Sequence, residues 1–166
     1  GTRCGNPEDL AVLDRVLRTN VTGLAATLAP FVEPMRERRS GTLVGIASVA
    51  GLRGLPGNGA YSASKAAAIN WLEALRVELH GSGVRVVTVC PGYIETPMTA
   101  VNRFPMPFLI SAEDAAGRTA RAIESGSVLV IFPWQMRLVF FVLRRAPGWM
   151  FDRIFARAPR KPGAAG

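Results

Sequence analysis

Apolar residues recur at Leu10, Leu13, Leu17, Val21, Leu24, Leu28, Phe31 and Met35, in steps of three and four. That period draws one apolar stripe down a long helix. Asn6-Pro7-Glu8-Asp9 supplies its start, with an N-cap residue, a proline at the first helical position and acids in the first turn. Pro30 and Pro34 lack the N–H a helix needs and are expected to bend or end it. The pattern then changes. Thr42–Ala47 and Val84–Cys90 are short apolar runs bounded by glycine, serine or proline, which reads as strands buried on both faces. Between them a glycine-rich loop, Gly51 to Gly59, leads into a second helix running from near Tyr61 to His80 and stopped by Gly81 and Gly83. Residues 93–110 are irregular and apolar. Ser111-Ala112-Glu113-Asp114 opens a third helix with a capping pattern, and Val128–Phe132 is a third strand. The order α-β-α-β-α-β calls for an α/β fold with crossover helices on a parallel sheet.

Composition narrows this picture. The 166 residues are 49% hydrophobic and 19% charged, enough for one packed domain and unlike a disordered chain. Cys4 and Cys90 are far apart and lack partners at metal-ligand spacing. They are expected to be free thiols in a reducing, cytoplasmic setting, with Cys90 a small core residue. The charge is uneven. From Trp134 to Gly166, seven basic residues face Asp152 alone and carry six of the eight net positive charges. A near-neutral body, 1–133, is thus followed by a basic tail, 134–166. That argues against a general nucleic-acid surface and for something local at the C-terminus.

The chemistry centres on Tyr61-Ser62-Ala63-Ser64-Lys65. On a helix, residues four apart share one face with their Cβ atoms about 5–6 Å apart. An ammonium so placed favours the phenolate of the tyrosine, which can then trade protons with a substrate near neutral pH. Ser48 ends the first strand, and sites in open α/β sheets form outside the carboxyl ends of strands. Asn20 lies within the first long helix. Singly, each of these has a bland explanation: a polar helix face, a strand-end hydrogen bonder, a solvated charge. In this order, on these elements, they read as one site. His80, at a helix C-terminus, reads as a structural partner of the dipole.

The ordered set resembles the short-chain dehydrogenase/reductase family. The matching elements are Asn20-Val21-Thr22-Gly23 in a helix, a strand ending in Ser48, Tyr-x-x-x-Lys thirteen residues later, Pro91-Gly92 after the next strand, and Thr96. The resemblance implies a partial doubly wound, Rossmann-like fold. It implies hydride transfer between NAD or NADP and a carbonyl or alcohol substrate. Tyr61 would be the acid or base. Lys65 would tune it and hold the nicotinamide ribose, Ser48 would bond the substrate oxygen, and Asn20 would hold a water linking Lys65 to solvent. Pro91, Gly92, Ile94 and Thr96 would line the nicotinamide side. Residues 93–110 match the family's substrate lid. Ser48, Tyr93, Met98 and Phe104 would face the substrate, with Ile94, Val101, Met106, Phe108 and Leu109 adding to an apolar lining that suits an apolar ketone or alcohol. The long helices at 7–39 and 61–80 would form a homodimer or tetramer interface.

Family members begin with a strand, a Gly-x-x-x-Gly-x-Gly turn and a helix that receives the pyrophosphate. Gly51, Gly54, Gly57 and Gly59 have the wrong spacing and the wrong place for that turn. The chain therefore reads as the C-terminal, catalytic portion of a longer reductase, inactive alone, with its first strand left at an open sheet edge. The rival reading is a non-catalytic membrane-peripheral or interaction protein on the same scaffold, and the intact four-residue set argues against it. The tail keeps two readings. Leu138–Leu143 is far too short for a membrane span, and residues 136–145 are expected to pack on the protein, over the substrate cleft or across a dimer. Residues 147–161 mix Trp149, Phe151 and Ile154 with arginines, as in helices that lie on anionic membranes.

Overall fold

The computed structural model of the chain describes residue 4, residues 6–100 and residues 105–156, with the side chain of Met98 excepted. A 3-10 turn at Pro7–Asp9 leads into α1 (Leu10–Leu17), a π-helical segment (Arg18–Thr22) and α2 (Gly23–Glu37), so the apolar stripe becomes one nearly continuous helical run. Pro30 and Pro34 lie inside α2 and do not end it. Each removes one backbone bond from an exposed side, while Leu24, Leu28, Val32 and Met35 hold the helix against the core. Tertiary packing of one face thus outweighs the local cost of proline. Termination falls instead at Arg39, which takes φ 53°. The amide of Ser40 then bonds the Met35 carbonyl and that of Arg39 bonds Arg36. This is a left-handed helix cap made without glycine.

The sheet is parallel and ordered β1 (Gly41–Ile46), β2 (Val84–Pro91), β3 (Leu129–Phe132). Gly41 pairs with Val84 and Ile46 with Val89, and Thr88 pairs with Leu129. β2 is central and buried from Val86 to Cys90, which explains its unbroken apolar run. Its alternating side chains serve two cores. Val84 and Val86 meet Leu43, Leu28, Leu72 and Leu75 of α3 (Gly59–Glu78), and Leu79 at its C-cap. Val87 and Val89 meet Phe132 and Ala115, the latter from α5 (Ala112–Glu124) after the short α4 (Pro97–Ala100). Ser111 caps α5 by accepting from the Asp114 amide, as its sequence implies.

Glycine brings α3 close to β1: a Cβ at Gly45 would collide with the Leu72 side chain. The chain closes with α6 (Trp134–Arg145) and α7 (Gly148–Phe155). Met136 and Phe140 of α6 pack on Val49, Leu52, Tyr93 and Ile131, so this part of the tail is built onto the body.

Leu72 is fully buried where α3 meets β1 and β2. Leu72→Ala is expected to cost about 2–5 kcal/mol, read as a lower midpoint in urea unfolding. Wild-type stability in the variant would show that the α3–β1 contact is not a core contact.

Candidate active site

The carboxyl ends of β1 and β2 collect the predicted residues. After Ile46 the Ala47 amide still bonds the Val89 carbonyl, and Ser48 follows, buried at 8% exposure. The extended backbone of Ser48 lets its hydroxyl accept from the Ala50 amide at 3.2 Å, capping a 3-10 turn, Val49–Gly51. That turn lies against α3. A Cβ on Gly51 would sit 2.6 Å from the Lys65 carbonyl carbon and 2.8 Å from the Ala66 nitrogen. Only a residue without a side chain allows the approach that seats the Ser48 segment beside the Tyr61–Lys65 turn.

Tyr61 and Lys65 occupy the start of α3, both half-buried. The Lys65 ammonium stands 5.7 Å from the centre of the Tyr61 ring, as the four-residue spacing implies. It donates to the carbonyl of Ile46 at 2.9 Å, which ties it to the strand end two residues before Ser48. Burial lowers the Lys65 pKa from its ordinary value, and the nearby Cys90 opposes that shift. The cation is held where shedding its proton is easier than in water.

Asn20 sits in the middle of the π-helical segment, the kind of local widening that often marks functional sites. Its amide donates to Ser64 Oγ at 3.0 Å, and Ser64 Oγ donates to the Tyr61 carbonyl at 2.8 Å. Asn20 is therefore coupled to the Tyr–Lys turn through Ser64. Ser64 is fully buried and is the residue that sequence reasoning missed. A small hydroxyl between Tyr61 and Lys65 was the available signal, but Ser62 offers the same chemistry and only the packing distinguishes them.

The remaining predicted residues spread along the next loop. Pro91 ends β2, and the Gly92 amide donates to the Phe132 carbonyl at 2.7 Å, which extends the sheet by one bond. Ile94 bridges Ile110, and its carbonyl accepts from Thr99 Oγ1 at 2.6 Å. The Thr96 amide donates to the same hydroxyl at 2.9 Å. These bonds fold 94–99 into a compact knot. Tyr93 joins the cluster under α6, and burial raises its pKa. Met98 lies on α4, while Val101 and Phe104 fall outside the described residues. Phe108 and Leu109 are exposed.

Cys90 proves to be more than a spacer in the core. Burial pushes its thiol up to about 11, against a hydrogen bond from the Ser48 backbone and the charge of Lys65. The thiol thus lies beneath the site, in contact with the Ser48 backbone and within the field of the lysine. Among the described residues no group of three or more histidine, cysteine or acidic side chains could hold a metal ion.

With this geometry in view, the chain belongs to the short-chain dehydrogenase family, whose model, described as short chain dehydrogenase, matches residues 6–105. An uncharacterized oxidoreductase of Myxococcus xanthus (strain DK1622) is 46% identical over 137 residues, 82% of this chain and 54% of its own length. The ketoacyl reductase HetN of Nostoc sp. (strain PCC 7120) is 38% identical over 126 residues, 74% of this chain and 44% of its own. Among solved structures, a short chain dehydrogenase from Burkholderia cenocepacia J2315 in complex with NADP superposes with a TM-score of 0.77 at 25% identity. That match covers 93% of this chain and 62% of the other. The chain spans roughly half the length of the relatives it matches. The parallel three-stranded sheet with flanking helices is the Rossmann-like arrangement expected of the family.

The site makes the two thiols unequal. Cys4 is exposed and Cys90 fully buried with a raised pKa. A thiol reacts as thiolate, so iodoacetamide at about pH 8 is expected to label Cys4 and leave Cys90 untouched until the chain is unfolded. Mass spectrometry of the native digest checks this. Equal labelling of both would mean that the floor of the site is open.

Proposed function

We propose that the chain is the catalytic part of an NAD(P)-dependent oxidoreductase acting on a carbonyl or alcohol carbon. The observation that carries the reading is the joint seating of Tyr61, Lys65 and Ser48 at one strand end, with Lys65 anchored on Ile46 and Asn20 coupled through Ser64. In the reduction direction Tyr61 donates its phenolic proton to the substrate oxygen. Lys65 holds its positive charge 5.7 Å from the centre of the Tyr61 ring, on the same helix face. Its lowered pKa also lets it pass a proton toward the phenol. Ser48 steadies the charge growing on the substrate oxygen by donating its hydroxyl hydrogen, whose oxygen meanwhile accepts from Ala50. In the oxidation direction the same groups run in reverse, with Tyr61 as the base.

The residues present fit the nicotinamide half of a dinucleotide. Of the three donor hydrogens on the Lys65 ammonium one is spent on Ile46, which leaves donors for ribose hydroxyls. Pro91 ends β2, Gly92, Ile94 and Thr96 follow it, and together they are proposed to line the adjacent side. The Ile94 carbonyl accepts from Thr99 Oγ1 and keeps a second lone pair, so main-chain groups at Ile94 can meet a carboxamide. The nicotinamide, when bound, supplies or accepts the hydride. NAD and NADP are both compatible with these residues, and two of the similar structures are described with NADP and with NADH respectively.

The substrate is an apolar carbonyl compound or its alcohol. Tyr93, packed with Met136 and Phe140 of α6, and the exposed Phe108 and Leu109 support an apolar approach to the site. Relatives named as a ketoacyl reductase and an acetoacetyl-CoA reductase fit this class. The complete reductase assembles as a homodimer or tetramer through α1–α2 and α3, where Leu10, Phe31 and Val77 remain exposed.

Among the described residues there is no strand–glycine turn–helix unit of the kind that receives a pyrophosphate. The chain by itself is expected to show no oxidation of NADH or NADPH with medium-chain ketones, followed by cofactor absorbance. Turnover would overturn the half-site reading. In a full-length reductase carrying this segment, Tyr61→Phe should lower kcat by about 10²–10⁴-fold. A loss below tenfold would remove Tyr61 from proton transfer.

A further inference from the structure

α6 is apolar on two opposite sides. Met136 and Phe140 turn inward and complete the cluster under the substrate loop. Trp134, Leu138, Phe141 and Val142 share the opposite side, at helical offsets of four, seven and eight, and all four are exposed. Folding of the body explains the first set and leaves the second unexplained. Trp134 is 66% exposed and Trp149 of α7 is 70% exposed, the two highest values among the exposed large hydrophobic residues described. A surface indole of this kind suits an interface that is apolar on one side and wet on the other.

The surface is held in place. Arg53, from the loop after Ser48, donates to the carbonyls of Leu143 and Ala146 at the end of α6, the latter at 3.0 Å. Its guanidinium also lies 4.1 Å from the centre of the Phe151 ring in α7. One arginine thus joins α6 and α7 to the body.

Charge then decides what the surface meets. Arg137 and Arg144 flank the outward stripe of α6, Arg145 lies within it against the Phe141 ring at 3.9 Å, and Arg153 is exposed on α7. None of the four takes part in a salt bridge among the described residues. An open groove of about 570 Å³ lies beside the stripe, walled by Leu52, Leu129 and Ile131 below and by Arg137, Arg144 and Arg145 at its rim. The arginine rim suits a phosphate and the apolar wall an acyl chain. A second copy of the chain would oppose like charges, since residues 134–166 carry six net positive charges. A nucleic acid would answer the arginines but leave the aliphatic Leu138 and Val142 wet. Spanning is excluded for the described helices, none of which is long and apolar enough to cross a membrane.

We infer that the outward face of α6, with α7, rests on the surface of an anionic phospholipid bilayer. This goes beyond the catalytic reading and does not rest on it. The bilayer surface would sit over the end of the molecule that carries the loop after Ser48, so an apolar substrate could pass between lipid and site.

Vesicle co-sedimentation of the chain tests this, using phosphatidylcholine alone and phosphatidylcholine mixed with phosphatidylglycerol. Binding is expected only with the anionic vesicles. It should be abolished at about 1 M salt, where the screening length is about 3 Å. Arg137→Gln with Arg144→Gln and Arg145→Gln should weaken partitioning by about a hundredfold, at about fivefold per charge. Trp134→Ser with Leu138→Ser, which leaves Met136 and Phe140 in place, should weaken it as well, while circular dichroism shows an unchanged unfolding midpoint. Equal binding to neutral vesicles, or none to either, overturns the inference. So does a dimer in light scattering that Trp134→Ser with Leu138→Ser converts to monomer without changing vesicle binding, which would assign the face to a second copy. Retention on single-stranded or duplex DNA with no vesicle binding would assign it to a nucleic acid.

Discussion

The contact on which the rest depends is the seating of the first turns of α3 against the end of β1. Gly51 permits it by bringing the turn after Ser48 within van der Waals reach of the Lys65 and Ala66 backbone. Lys65 completes it by reaching the Ile46 carbonyl. Gly45, farther down the strand, lets Leu72 approach at the same interface. Two glycines on one side and one ammonium on the other therefore fix how far apart a serine and a tyrosine stand. A side chain at either glycine would push the helix away from the strand.

That interface also explains why the cluster is tightly coupled to the core. The site has little surface of its own. Ser48, Ser64 and Cys90 are buried, and Lys65 is half-buried at the expense of its usual pKa. Desolvation makes an ammonium a better proton donor and makes a thiol inert, and both effects arise here from the same close packing. The two groups moderate each other, since the lysine charge opposes the rise at Cys90 and Cys90 opposes the fall at Lys65.

The tail belongs to the same design. α6 packs its inner residues against Tyr93 and Val49, the latter one position after Ser48. Arg53 then holds the end of α6 and the ring of Phe151. The loop between Ser48 and Tyr61 is thus clamped on one side by α3 and on the other by the tail. Apolar outward residues on α6 leave a face that this packing does not use.

Local order was legible in the sequence wherever a single periodicity or cap decided it. The three strands appear within a residue or two of their apolar runs, the helices follow their stripes, and Ser111 caps α5. The spacing of Tyr61 and Lys65 sets their common face, because four residues make slightly more than one helical turn. Two prolines were misleading, since their local cost is real but α2 is held by its packed face. The π-helical segment at Asn20, the left-handed cap at Arg39 and the choice of Ser64 over Ser62 as Asn20's partner had no sequence signal. Each depends on which neighbour lies within bonding distance across more than forty residues of chain or on how a backbone end is satisfied. Residue types and their order by themselves determined the family and the parallel α/β class. Distances, burial and the partner of each polar group came only with tertiary structure, because close packing across distant segments decides which donors and acceptors meet.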